Sequence, residues 1–497
     1  MKISTGHRIQ FLTRKKKKQL VLFIICTRLV TGFLVQAQTY TLVQVIDFAR
    51  ENSPEALKNI TTKENNYWKW KTYKAEYKPQ LFLNANLPNY QNVNTLVLQD
   101  DGSIVYRNIK QSEAYTTLSM EQNIGLTGGK VYLNSDLSRL DDYNQTTHSY
   151  SGSPFFIGLE QPLFAFNKLK WMKCIEPLKY EESMKKYIEK NEEIAYTTTV
   201  KFFNLLISQI YYQIAFTNKT NADTIYHIGA EKYALGKISK NELLQLKYGV
   251  ISAQKAMATA NLSIKTSLLE LISYTGINET DTIQLILPDN IVKFYIPDTL
   301  ALTMAFKNSK RNVEFKRNIL EASRDAEKAR RESRLSASLT VSYGQTNIAN
   351  NVPAIYENPY GLQTFNVGFT IPVLDWGRSK ATRKTAEANL KLVEYTVQQE
   401  EINFKQEVLT EVENFKMLQD YVEYNIEADK TAAERYEIAR LRYIAGDINL
   451  TEYNIALEEK DRAKQDYISA LQNYWLTYYS IRILTLYDFN NNVSLID

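Results

Sequence analysis

Few residues in this chain combine the types and spacing that catalysis or metal binding requires. Of three histidines, His7 lies in the N-terminal segment, and His148 and His227 are too far apart in sequence to show any metal-ligand spacing. The run Thr127-Gly128-Gly129-Lys130 has the Gly-Lys pair of a phosphate loop. It lacks the glycine four positions earlier and strand-like sequence follows, so it predicts a hairpin turn. No Gly-x-Ser-x-Gly elbow and no paired-cysteine metal site is present. The sequence therefore predicts neither an enzyme nor a cofactor or metal. What remains is an acidic pair in a repeated setting. Glu242 and Glu452 each stand six positions after a glycine, Gly236 and Gly446, within EKYALGKISKNEL and LRYIAGDINLTEY, where Tyr233 also matches Tyr443 and Ile238 matches Ile448. Each glycine can supply the positive φ that ends a helix, and each glutamate then falls at the favourable N-terminal end of the next helix dipole.

The elements around these turns repeat too. Residues 41–78 read as helix, and 80–161 change to Asn, Asp, Gly, Thr and Tyr with period-two alternation, the signature of strands. Helical sequence returns after Pro162, runs to the Gly236 turn and continues to about Tyr274; a connector, 277–297, carries the apolar patch Ile283 to Leu287. The second half repeats the order: helix 298–334, strands within 335–371, a long helix to Tyr443, the Gly446 turn, and a last helix ending near Tyr487. Pro372 follows Pro162 at the same 210-residue offset as the two glycines, whereas Asn52-Ser53 match Asn308-Ser309 at 256. The first half thus carries 46 extra residues, all in its strand region. The predicted domains are a leader over 1–37, a first repeat over 38–276, the connector, a second repeat over 298–487 and a tail over 488–497.

A helix of about 70 residues spans ~105 Å. Between Phe404 and Tyr443 the residues Phe404, Val408, Phe415, Leu418, Val422, Ala432, Tyr436, Ala439 and Tyr443 fit a 3,4 spacing, interrupted by Glu411, Asn425 and Asp429. One stripe cannot bury itself, which predicts antiparallel coiled-coil pairs. The strands predict nine to ten residues each, suited to a tilted bilayer crossing, with Phe82, Tyr90, Tyr115, Phe155, Phe156, Phe365 and Phe369 as an aromatic girdle. Four to six strands are too few to close a barrel of at least eight, and lipid forbids open edges, so several copies must complete it.

Arg14 to Lys18, Leu20 to Val35 and the small-residue site before Gln38 predict a cleaved export signal, with an uncleaved membrane anchor as the alternative because Arg28 interrupts the apolar run. Removing its eight Lys/Arg from 60 leaves 52 against 55 acidic residues, a formal charge of −3. That balance gives no reason to expect nucleic acid as a partner. Cys174 then remains alone of two cysteines, so no intrachain disulfide is expected. No later stretch offers a transmembrane helix, which leaves soluble export or an outer-membrane barrel.

Together these features resemble the TolC-like outer-membrane efflux factors. The likeness runs from Tyr40 to about Tyr487 and rests on the doubled order, on the exits Gln161-Pro162-Leu163-Phe164 and Ile371-Pro372-Val373-Leu374-Asp375-Trp376-Gly377-Arg378, and on the two turns. It implies a mainly α fold with a β-barrel segment. Three copies would share a transmembrane barrel in outer-membrane lipid and build an α-helical periplasmic tunnel. It also implies a constriction at Glu242 and Glu452 with Tyr233 and Tyr443. A periplasmic adaptor would dock on Leu235, Gly236, Lys237, Ala445, Gly446 and Asp447. The exits fall at Pro162, Pro372 and Gly377. Members often carry a second acid three positions on, where this chain has Gln245 and Ile455, implying a throat less charged or differently built. The function implied is passive export, coupled through the adaptor to an inner-membrane transporter. The rival expectation is a secreted coiled-coil or adhesive protein with a small strand-built head.

Overall fold

The computed structural model describes residues 39–277, 283–289 and 291–496, so the expected export signal lies outside the described residues. A short strand, β1 (Thr39–Tyr40), leads into α1 (Leu42–Asn52) and α2 (Pro54–Ala75). The single helix expected over 41–78 is split because Ser53 caps a new one. Its hydroxyl accepts from the Ala56 N–H at 3.1 Å, and Pro54 occupies the first helical position, where its missing N–H is harmless.

Four strands follow: β2 (Gln80–Leu98), β3 (Ile104–Ile124), β4 (Gly129–Asp142) and β5 (Thr147–Leu163). Then come α3 (Lys168–Ala234), α4 (Lys240–Thr275) and β6 (Gln284–Leu285). The second half opens on α5 (Asp298–Asn308) and α6 (Lys310–Glu332), divided at Ser309, whose hydroxyl accepts from the Arg311 N–H at 3.1 Å. The break at Ser53 thus recurs at its repeat partner. After β7 (Ser336–Ala349), a single turn α7 (Val352–Ile355) and β8 (Tyr360–Thr370) come the long α8 (Arg378–Ala445) and α9 (Leu450–Thr485). A closing hairpin pairs β9 (Tyr487–Asp488) with β10 (Val493–Ser494).

These elements form two units. One comprises the described residues up to Phe48 together with those of Lys201–Asp289. In it β1 pairs parallel with β6, and the Gln209 amide serves the connector twice, donating to the Ile283 carbonyl at 2.6 Å and accepting from the Leu285 N–H at 3.2 Å. The Lys201–Glu270 and Ser208–Ser267 contacts show that α4 runs antiparallel to the second part of α3. The apolar patch predicted in the connector is partly core, with Ile283 and Leu285 buried.

The other unit comprises Ala49–Val200 and Asn290–Asp497. Here α8 and α9 pair antiparallel: Phe415 stacks on Tyr474 (5.1 Å) and Lys464 reaches Asp429 at 2.9 Å. Of the predicted stripe, Phe404, Val408, Phe415, Leu418, Val422, Tyr436 and Tyr443 are buried. Ala432 and Ala439 are half-buried, and Val412, outside the predicted set, is fully covered. At 67 and 68 residues, α3 and α8 are each about 100 Å long.

This second unit also holds one antiparallel sheet in the order β2-β3-β4-β5-β7-β8. Its strands have 11 to 21 residues rather than the predicted nine to ten. The longest excess belongs to β2 and β3. β4 leaves β3 at the Gln111–Asp142 pair, while β2 and β3 continue together to Leu98–Ile104. That arm is tied by the Asn108 amide donating to Asn92 (3.0 Å) and Asn94 (2.9 Å).

Candidate functional site

Cross-strand partners share a face of a sheet, and successive rungs alternate between faces. On one face, Leu81, Met120, Leu133, Ile157 and Tyr343 form a rung running from β2 to β7, and Val131, Leu159, Val341 and Phe365 form the next from β4 to β8. The intervening rungs point the other way. Gln80, Glu121, Tyr132, Gly158, Ser342 and Thr364 make one, and Asn123, Lys130, Glu160, Thr340 and Asn366 another. Lys130 pairs with Glu121 across this polar face at 3.4 Å. The sheet is thus mainly apolar on one side and polar on the other, with Gln363 on β8 and Gln122 on β3 as polar members of the apolar rungs. The girdle expectation needs correction, because period-two geometry divides its members. Phe82 pairs with Ser119 and Phe156 with Asn134, which puts both on the polar face. Tyr115 joins them opposite Asn86. Phe365 and Phe369 lie on the apolar side, as does Phe155, whose ring meets Tyr343 at 6.1 Å.

Two strand-to-helix exits leave this sheet. Pro162 is not the boundary itself: β5 passes through it, paired with Ser338, and α3 begins only at Lys168. Asn167 makes that exit. Its Oδ1 accepts from the Lys170 N–H at 3.0 Å, and its amide donates to the carbonyls of Gly125 (3.2 Å) and Leu126 (3.0 Å), binding the helix start to the β3–β4 turn. At the other exit β8 ends before Pro372, and Gly377, at φ 86°, caps α8. Asp375 accepts from the N–H groups of Gly377 (3.0 Å) and Ser379 (2.8 Å). Hydrogen bonds from Ser379 and Gly377 hold its carboxyl below the usual range. Both exits carry an aromatic residue at positive φ, Phe164 at 64° and Trp376 at 52°, each largely exposed.

The two glycine turns share one construction. Gly236 and Gly446 have φ of 68° and 94°, and the residue after each donates back five positions, Lys237 to Lys232 and Asp447 to Arg442. That is the Schellman closure, which requires the left-handed conformation glycine adopts without a Cβ penalty. The following helices begin with side-chain caps: Ser239 accepts from the Glu242 N–H at 3.1 Å, and Asn449 from the Glu452 N–H at 2.9 Å. Both glutamates therefore occupy the third helical position, and the Glu452 carboxylate also receives the Asn449 amide at 3.2 Å. Leu235, Gly236 and Lys237 are exposed in one unit, as are Ala445, Gly446 and Asp447 in the other. The matched tyrosines differ. Tyr233 is exposed, while Tyr443 is buried and stacked on Tyr453 (5.4 Å), whose hydroxyl meets that of Tyr436 at 3.4 Å. Burial and the neighbouring tyrosines push the Tyr453 hydroxyl well above its ordinary range.

One cluster was not visible in the sequence. The Arg482 guanidinium donates to both Glu192 oxygens, at 2.7 and 3.2 Å, and to Asp488 at 2.5 Å, while Arg50 reaches Glu192 at 2.6 Å. The Tyr478 hydroxyl joins by donating to Asp488 at 3.1 Å. Burial alone would lower the Arg482 pKa; the carboxylates of Glu192 and Asp488 reverse this and raise it. Burial likewise tends to raise Asp488, but the Arg482 charge and the Asn491 amide hold it below the usual range. The partners lie 142 and 290 residues apart, so no local pattern announces them. Among the described residues no group of His, Cys, Asp and Glu is arranged to hold a metal ion, and no helix is long and apolar enough to cross a membrane.

Comparison with known proteins fits this geometry. Residues 311–484 match the Outer membrane efflux protein family. No curated protein sequence matches the chain. Among solved structures, the CmeC outer membrane channel of Campylobacter jejuni superposes with a TM-score of 0.64 at 16% identity, covering 89% of this chain and 85% of that one. The outer membrane protein VceC of Vibrio cholerae gives 0.61 at 12% identity over 90% and 95% of the two chains. The open state of the MtrE outer membrane channel of Neisseria gonorrhoeae gives 0.60 at 14% identity over 89% and 88%. At these identities the structures show a shared fold, and the family match is confined to residues 311–484. Over residues 311–484 the chain is similar to the Outer membrane efflux protein family, and its amphipathic sheet, helices of about 100 Å and doubled glycine turn accompany the fold of these outer-membrane channel structures.

Proposed function

We propose that the chain is one of three identical protomers of an outer-membrane export channel. It passes solutes passively, with energy supplied by an inner-membrane transporter reached through a periplasmic adaptor. The observation that carries this reading is the sheet: an apolar face and a polar face, one rung apart, on the same chain as helices of 67 and 68 residues. Such a sheet is satisfied when lipid covers one side and water the other, and lipid leaves no room for unpaired edges. A small head domain in water would instead have to hide that apolar face.

In this reading Glu242 and Glu452, with the exposed Tyr233, line the periplasmic constriction, and Tyr443, buried against Tyr453, supports it from behind. Three copies of two carboxylates repel one another and favour cations over anions. The exposed Leu235, Gly236, Lys237, Ala445, Gly446 and Asp447 receive the adaptor. The reading is tested by fractionation followed by reconstitution. The protein is expected to stay with outer membrane after a high-salt wash and to open cation-preferring channels in planar bilayers. In the Glu452→Lys variant that preference should weaken or reverse; release by salt, or traces unchanged by the substitution, would remove respectively the membrane assignment or Glu452's role.

A further inference from the structure

The first half of the chain contributes four strands to the sheet and the second half two, and the apolar–polar alternation holds across all six. Leu81 and Leu83 on β2 pair with Met120 and Leu118 on β3. This puts apolar side chains of the outermost hairpin on the same face, and at the same level, as Leu133 and Ile157 further in. If the β2–β3 hairpin were an ornament outside the wall, those four residues would face water. The two edges point the same way. Neither β2, over 19 residues, nor β8, over 11, contains a single charged residue, and the edge-blunting features of β2, Pro88 and the bulge at Asn86–Asn89, leave its first rungs, Gln80 to Ala85, open to a partner. All neighbours in the sheet are antiparallel, so β8 runs opposite to β2, and a head-to-tail join between copies continues the antiparallel ladder.

We infer that all six strands enter the membrane wall and that β2 of one copy pairs with β8 of the next, so that the assembled barrel has eighteen strands. The inference rests on the trimeric reading above. Its consequence concerns the cargo. At a strand spacing of ~4.8 Å and a tilt of ~40°, eighteen strands enclose a backbone diameter of about 36 Å, against about 24 Å for twelve. With side chains subtracted, such a lumen admits a polypeptide or a bulky amphiphile as readily as a small solute. The barrel then sets no small-molecule size limit, and selection by size falls to the helical turns.

Cysteine cross-linking in whole cells tests this in a Cys174→Ser background. Val367→Cys on β8 is combined in turn with Leu81→Cys or Leu83→Cys on β2, and with Val131→Cys or Leu133→Cys on β4. Oxidation is expected to give covalent dimers and trimers with the β2 partners and none with the β4 partners. Cross-links through β4 would place the edge there, giving a twelve-stranded wall and overturning the inference while leaving the channel intact. If no pair cross-links, cryo-electron microscopy of the unaltered particle in lipid nanodiscs counts the strands: eighteen sustains the inference and twelve ends it. A protein that forms no trimer at all would end the inference together with the reading it rests on.

Discussion

At the scale of single residues, the buried charges around Arg482 carry the clearest energetic consequences. Its side chain is 11% exposed and those of Glu192 and Asp488 are 6% and 8%. Removing one partner from such a network typically costs about 3–5 kcal/mol, because the charges left behind are neither solvated nor paired. Arg482→Met is therefore expected to lower the midpoint of thermal unfolding sharply, and a midpoint within a degree of the parent would show the network to be inert. The pH dependence has a definite sign. Asp488 has a depressed pKa in the folded protein, so its stabilisation is present above the ordinary aspartate range and is lost as pH falls through the depressed value. Thermal scans between pH 5 and 2 should show that loss, and Asp488→Asn should reduce it. Glu411 has the opposite sign. Burial, and secondarily repulsion from Glu407, raise its pKa, so the charged form opposes folding at neutral pH and the penalty fades as pH drops through the raised value. Glu411→Gln is expected to raise the midpoint at pH 7 by about 1 °C, an effect that should shrink towards pH 4. Glu411 already stood out in the sequence as a polar break in an apolar stripe. The Arg482 network did not, since its members meet only after α1, α3 and α9 have packed.

At the scale of elements, local chemistry was legible wherever it repeats. The glycine turns and the α8 stripe follow from spacing and from residue types with one strong conformational preference. The capping role of Ser53 was concealed inside a run of otherwise good helix formers. Strand lengths were also concealed. Alternation marks where a strand faces two environments but is silent about where its neighbours stop, and β2 and β3 outlast β4 by seven rungs, about 23 Å. An isolated two-stranded ribbon is marginally stable in water, so that arm adds little to the sheet. Replacing Val93–Ile109 by a two-residue Asn-Gly turn is expected to leave assembly and outer-membrane yield unchanged, as gauged by oligomer bands on native gels. Loss of the oligomer would show that the arm is part of the assembled wall.

At the scale of the whole molecule, the chain carries an apolar sheet face and two edge strands free of charge, and under the proposed function both are satisfied when copies share one wall in lipid. The fold class and the duplication could be read from the fixed 210-residue offset; which girdle aromatics share the apolar face could not, because that depends on a register set by bulges in β2 and β5. The most direct test is the current carried by the particle itself: extracted from salt-washed outer membrane, purified as a single species of three chains and placed in a planar bilayer. Discrete, cation-preferring conductance steps are the predicted result. A silent bilayer from a correctly folded trimer, or a protein that leaves the membrane in salt as a soluble single chain, would contradict it.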